Sequence, residues 1–235
     1  KFLIFLFSND LINETNDISK CIEILDKDEK ISIGYSSLLK KDADRTYIKK
    51  SFSEEIIECK SKCFSKECLT RGLLPFGPIQ SIIYRVEDIQ KDKNRFRLDM
   101  PINADEIFTY NEACKRELIM FNPNPQIIWD LTQTRFHGKM KAEDEYKEHS
   151  ETIKAISGII GIDVNYGLVS TYRAINLLKF STGNLKSDGK KFATKHLLSN
   201  MKKSKSFFNT DKILFKTFMN KIRNSGKDAD DILYS

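Results

Sequence analysis

The sequence predicts a mixed α/β domain. Two apolar runs of strand length, residues 2–7 and 126–131, are separated and followed by segments with apolar residues at helical spacing. Clusters of Gly, Pro and Asn divide these segments, and the order reads strand, hairpin, helix, strand, helix, strand, helices.

Residues 2–7 form a core strand ending at Asn9-Asp10, and the polar residues 11–30 form a loop and a short helix. Residues 31–50 are mixed in character. A helix over 53–68 has Ser53 as its N-cap and Glu54-Glu55 in its first turn. Gly72, Pro75, Gly77 and Pro78 break the chain, and 81–88 with 95–100 suggest a hairpin. The next helix, 103–121, offers Ala104, Ile107, Phe108, Ala113, Leu118 and Ile119 for burial, and Asn122-Pro123-Asn124-Pro125 stops it. Residues 126–131 then read as a central buried strand carrying Trp129 into the core and ending in Asp130. A helix over 143–160 places Tyr146, Ile153, Ile156 and Ile160 near helical spacing, and Gly158 and Gly161 mark its end. Residues 166–172 are the next strand, and 190–201 and 211–222 are basic amphipathic helices. After Asn224-Ser225-Gly226 a last helix opens at Asp228.

The chain has 235 residues, 40% of them hydrophobic and 31% charged, enough to bury a core in a soluble domain. The formal net charge of +6 permits a polyanionic partner. Residues 186–223 are strongly basic, against only Asp188 and Asp211, and suit a phosphate-tracking face. No apolar run has the length of a transmembrane helix, and residues 2–7 are too short for a signal-peptide core. A chain starting at Lys1 implies a removed initiator Met or a fragment. Five cysteines, an odd number, point to reduced thiols inside a cell, whether in cytoplasm, nucleoid, organelle or viral factory, rather than to a secreted protein. Cys59, Cys63 and Cys68 need a fourth ligand to bind zinc and no His lies near them, so free helical thiols are the main expectation.

The acids carry the chemistry. Asp228 and Asp231 are three apart at a helix start, so both carboxylates can face one spot. Asp130 ends its strand and Asp10 follows the first one, where open α/β sheets gather their functional groups. Carboxylates from several elements are what a divalent-metal site for phosphodiester cleavage requires. An acidic helix N-terminus and a simple turn acid are the plainer readings of the same residues.

Four pieces in residues 104–235 resemble the ribonuclease-H-like Holliday-junction resolvases. They are the helix leading into Asn122-Pro123-Asn124-Pro125-Gln126-Ile127-Ile128-Trp129-Asp130, the strand 166–172 with Lys179, the turn Ser181-Thr182-Gly183-Asn184 with Lys190 and Lys191, and Lys227-Asp228-Ala229-Asp230-Asp231. The chain departs from the family in having Asp130 where Glu is usual and no glycine after Asp10. The resemblance implies a single ribonuclease-H-like domain over 1–235, a mixed sheet flanked by helices, with a family-specific insertion within 11–100. It implies a Mg²⁺- or Mn²⁺-dependent endodeoxyribonuclease acting on branched or duplex DNA as a homodimer. Asp10, Asp130, Asp228 and Asp231 would hold the metal, with Lys191 also catalytic. Arg135, Phe136, Lys179, Lys190 and Lys191 would contact DNA, with His137, Tyr84 and Arg85 as further contacts. Asp88 and Asp99 are substitutes for Asp10. The alternatives are a non-catalytic nucleic-acid-binding protein on that fold, or another ribonuclease-H-like nuclease or transposase.

Overall fold

Alternating Ile, Ser, Gly and Tyr from Ile31 onward build the strand on which everything else is hung. In the computed structural model, which describes residues 1–8, 10–14, 18–41, 46–49, 55–70, 76, 78–130 and 142–162, this strand is β3 (Ile31–Lys41). The other strands are β1 (Phe2–Leu3), β2 (Leu11–Ile12), β4 (Thr46–Lys49), β5 (Ile57–Lys60), β6 (Ile82–Arg85) and β7 (Leu118–Asp130). The helices are α1 (Ser19–Lys27), α2 (Ser61–Thr70), α3 (Val86–Asp92), α4 (Ala104–Ala113) and α5 (Ala142–Ile160), with a 3₁₀ turn over Ile79–Ser81.

Among the described residues the strands form one mixed sheet in the order β1-β6-β3-β7-β2, with β4 on β3 and β5 on β7. Among these described strands only β3 and β7 run parallel; the other pairs are antiparallel. β1 and β2 lie at opposite ends of that order, yet only residues 4–10 join them. This segment therefore crosses the end of the sheet toward which β1, β3 and β7 point. The sheet is curled and flanked by helices, a mixed α/β architecture as the sequence predicts.

Each face of β3 has its own core. Ile33 and Tyr35 pack with Leu69, Phe76, Phe108, Tyr110, Phe121, Ile153 and Ile156 beneath α2, α4 and α5. A register shift between Ile31 and Ile33 turns Ile31 to the opposite face, where it joins Cys21, Leu25, Ile83 and Met120 under α1. Gly34 lets α1 come this close: a Cβ there would stand 2.9 Å from Met120 Cε and 3.3 Å from Leu25 Cδ1. The Met120 methyl is a flexible end, so Gly34→Ala should cost about 1 kcal/mol by overpacking. A lower urea midpoint at unchanged slope is the expected readout.

Several sequence expectations give way to tertiary pairing. Residues 2–7 are strand only over Phe2–Leu3. The mixed stretch 31–50 contains the central strand. Its serines are buried, and Ser32 Oγ donates to Ala113 O at 2.7 Å and Ser36 Oγ to Ser81 O at 3.1 Å. The helix expected over 53–68 begins only at Ser61, because Ile57–Lys60 pairs with β7. The hairpin of 81–88 and 95–100 is replaced by β6 running into α3. The helix over 103–121 ends at Ala113, and 118–121 joins 126–130 in one long strand. Asn122-Pro123-Asn124-Pro125 is a shift in the β3–β7 register rather than a helix stop, a position where a strand tolerates proline. The helix expected over 143–160 is present as α5, with Ile153, Ile156 and Ile160 buried and Gly161 at φ +72° closing it. Strand 166–172, helices 190–201 and 211–222 and the helix opening at Asp228 lie outside the described residues.

A ribonuclease-H-like reading puts the first acid on a core strand of the N-terminal run. Here that run supplies a two-residue edge strand, and β3, from the segment expected to contain an insertion, holds the centre.

Candidate functional site

The crossing segment 4–10 is anchored by Phe5, whose ring meets Tyr84, Phe96 and Phe108 edge-on at centroid distances of 5.7, 5.4 and 5.7 Å. A tight turn follows, in which Asp10 N donates to Phe7 O at 3.0 Å. Asp10 Oδ2 accepts from Phe7 N at 3.1 Å and from Gln80 Nε2 at 2.8 Å. Gln80 is presented by the 3₁₀ turn after Pro78 and is itself buried. Asp10 is only 8% exposed, and its Oδ1 accepts no hydrogen bond among the described residues. Gln80 Oε1 is in the same state. Two buried oxygen acceptors on hydrogen-bonded partners, one of them on a carboxylate, carry a desolvation cost that a cation or a strong donor would offset.

More acids reach this end of the sheet. α4 runs back toward the start of β7, since Ala113 O meets Ser32 near the beginning of β3. Its N-terminus, with Asp105 and Glu106 in the first turn, therefore stands at the same end as Gln80, and the 3₁₀ turn contacts α4. Glu148 of α5 fixes this terminus, its Oε1 accepting from Ile102 N at 2.6 Å and Asn103 N at 2.7 Å. Beneath it Tyr84 Oη and Thr109 Oγ1 share a hydrogen bond of 2.6 Å. Burial pushes the Tyr84 phenol well above its ordinary pKa, and Asp105, Glu106 and Glu112 push the same way against the Thr109 bond, so Tyr84 stays neutral.

The sequence-predicted residues separate. Asp10 is in this cluster. Asp130, half-buried, ends β7 opposite Lys41. β2 follows Asp10 directly and pairs Leu11 with Ile128, so Asp10 precedes the strand that lies beside β7, which Asp130 ends. Trp129 is half-buried with Lys40 Nζ 5.3 Å from its ring centroid. Among the described residues no group of three or more His, Cys, Asp or Glu can hold a metal ion. Asp228, Asp231, Lys179, Lys190, Lys191, Arg135, Phe136 and His137 lie outside the described residues. The substitute acids are ion-paired: Asp88 binds Arg116 through both oxygens at 2.6 and 2.8 Å, and Asp99 binds Arg97 at 3.1 Å. Tyr84 and Arg85 are buried and offer no surface to a nucleic acid.

Gln80, Asp105, Glu106 and Glu148 were missed. The acids of 103–121 carried one signal, two carboxylates directly after an expected helix start. Gln80 carried none, since its place depends on a turn closing over Asp10.

None of the five cysteines is in a disulfide. Burial, with Cys63 adding to it, pushes the Cys59 thiol up to about 11. A raised thiol pKa keeps Cys59 protonated at neutral pH, so it lacks the reactive thiolate until pH approaches that value. At pH 8 iodoacetamide should modify exposed Cys63 well before Cys59, and the gap should close above pH 10; mass spectrometry of tryptic peptides reads both rates.

Comparison with solved structures finds S. aureus TarS, residues 1–349. In complex with UDP-GlcNAc it aligns at TM-score 0.51 and 17% identity, over 78% of this chain and 50% of that one. In complex with UDP it aligns at 0.50 and 16%, over 78% and 48%. The chain thus spans about half the length of these structures. Likeness at this identity is likeness of fold. No protein-family profile and no curated protein sequence matches the chain.

This fold corrects the resolvase assignment. The matched architecture accommodates UDP and UDP-GlcNAc in TarS, and its sheet is centred on β3 rather than on an acid-bearing first strand. The endodeoxyribonuclease activity, the branched or duplex DNA partner and the junction-imposed homodimer rested on that assignment and fall with it. So do the non-catalytic DNA-binding and transposase alternatives. Among the described residues no helix is long and apolar enough to cross a membrane.

Proposed function

We propose that this chain forms part of a glycosyltransferase domain that uses a UDP-linked sugar. The buried Asp10 carboxylate with one open oxygen is the observation that carries this reading. It stands at the end of a mixed sheet whose fold likeness is to a protein solved with UDP and UDP-GlcNAc. The donor set fits a hard divalent cation, which takes carboxylate and amide oxygens and completes its shell with phosphate and water. Asp10 Oδ1 and Gln80 Oε1 would be the protein's ligands. Mg²⁺ or Mn²⁺ bound there would neutralise charge building on a departing diphosphate.

The chain's own residues have separable tasks. Phe7 N and Gln80 Nε2 hold Oδ2 of Asp10, which leaves Oδ1 without a hydrogen bond among the described residues and able to take a ligand. Transfer of a glycosyl group to a hydroxyl needs a proton acceptor, and Asp105 and Glu106 at the head of α4 supply carboxylates for it. Glu148 fixes the height and orientation of that helix start.

Titration of UDP into the protein, with and without Mn²⁺, tests the reading by calorimetry. Binding that requires the cation is expected. Absence of UDP binding with either Mg²⁺ or Mn²⁺ would discard it.

A further inference from the structure

Exposed apolar side chains collect on two turns beside the candidate site. The first is the turn ahead of Asp10, with Leu6 at 43% and Phe7 at 58% exposed. The second is the turn over 97–100, closed by Met100 N donating to Arg97 O at 3.3 Å, with Leu98 at its tip and 96% exposed. The two are neighbours, because Phe5 and Phe96 are in ring contact at 5.4 Å, and Phe96 stacks on Phe108 at 4.5 Å. The stretch leading into the second turn is basic: Lys91, Lys93 and Arg95 are exposed and have no acidic partner among the described residues. Its own acids are engaged elsewhere, Asp92 with Lys115 at 3.2 Å and Asp99 with Arg97.

A leucine held fully in water at the tip of a hydrogen-bonded turn gains nothing in the free protein. The same side chain inserted below phosphate level loses its contact with water, while flanking Lys and Arg meet anionic headgroups. Apolar tips with a basic flank match that layered chemistry, with separate zones for hydrocarbon and for phosphate. We infer that this rim, Leu6, Phe7, Phe96 and Leu98 with Lys91, Lys93 and Arg95, docks the protein on an anionic lipid bilayer surface. The open oxygen of Asp10 then lies beside the membrane plane, where an acceptor carried on a lipid would be presented.

Co-sedimentation with phosphatidylcholine vesicles, with and without phosphatidylglycerol, tests this without reading any transfer chemistry. The wild type should pellet with the anionic vesicles and be released by high salt. Leu98→Asp combined with Phe7→Asp should weaken binding about a hundredfold or more, since losing each buried apolar side chain costs about tenfold or more. Both positions are exposed, so thermal melting should be unchanged in the same samples. Failure of the wild type to bind anionic vesicles overturns the proposal, as does equal binding by the double variant. Light scattering that shows a dimer dispersed by Leu98→Asp would overturn it in favour of a second copy of the chain on this rim.

Discussion

Asp10→Asn is expected to abolish cation-dependent UDP binding while leaving the fold as stable as before, or more so. Asparagine keeps an oxygen for Phe7 N and for Gln80 Nε2, so the turn and its tie to the 3₁₀ turn survive. What disappears is a buried negative charge and the anionic ligand it presents. Removing residues that merely support a metal ligand costs about 10–100-fold in affinity, so losing the carboxylate itself should cost at least about 100-fold. Without ligand the buried charge is a liability, and its removal should hold or raise the melting temperature, the usual opposition of activity and stability at a functional site. Gln80→Ala should fall between, losing about tenfold in affinity by leaving the carboxylate unsupported. Calorimetry with Mn²⁺ and a melting curve separate these cases. Asp10→Asn that lowers stability and leaves UDP binding untouched would make Asp10 a structural residue.

The largest stability effect is expected at Arg85. Its guanidinium is buried and donates from Nε to Ile31 O at 2.7 Å and from Nη2 to Leu25 O and to Asp28 O, the last at 2.8 Å. Leu25 O belongs to the last turn of α1, so a β6 side chain caps that helix and complements its dipole. Burial lowers the Arg85 pKa, and nearby Arg116 adds to this, but an arginine pKa has room to fall and the group stays charged at neutral pH. Arg85→Ala removes charge-assisted bonds worth about 1.5–3 kcal/mol each in favourable cases and strands carbonyls at the α1–β3 corner. A loss on the order of 3 kcal/mol or more in denaturant unfolding is expected. Arg85→Lys restores the charge without the planar fork and should recover only part of it. An Arg85→Ala midpoint within error of wild type would show that the corner does not depend on this contact.

How far the sequence could be read depended on whether local pattern agreed with tertiary pairing. α5 was legible because Ile153, Ile156 and Ile160 repeat on one helical face and Gly161 needs positive φ. β3 was not, since Ser32, Ser36 and Ser37 are buried by hydrogen bonding and by neighbouring strands, which no local periodicity records. The stretch 118–121 followed a helix and looked apolar enough to extend it; pairing with β3 and β5 decided otherwise. Asp10 was legible as an acid following an apolar run, but the nuclease reading built on it is overturned by the fold likeness. A carboxylate beyond a strand suits phosphodiester cleavage and diphosphate binding equally, because both use a divalent cation against phosphate oxygens. Choosing between them needed strand order, and strand order is set by partners far away in sequence.

Use of a UDP-linked sugar at Asp10 can be read from the reaction itself. Its most direct test is UDP release from UDP-GlcNAc in the presence of Mn²⁺, followed by chromatography for wild type and Asp10→Asn side by side. Cation-dependent release by the wild type and a loss of about 100-fold or more in the variant are expected. No release by the wild type from UDP-GlcNAc or other UDP-sugars, or equal release by both proteins, would contradict it.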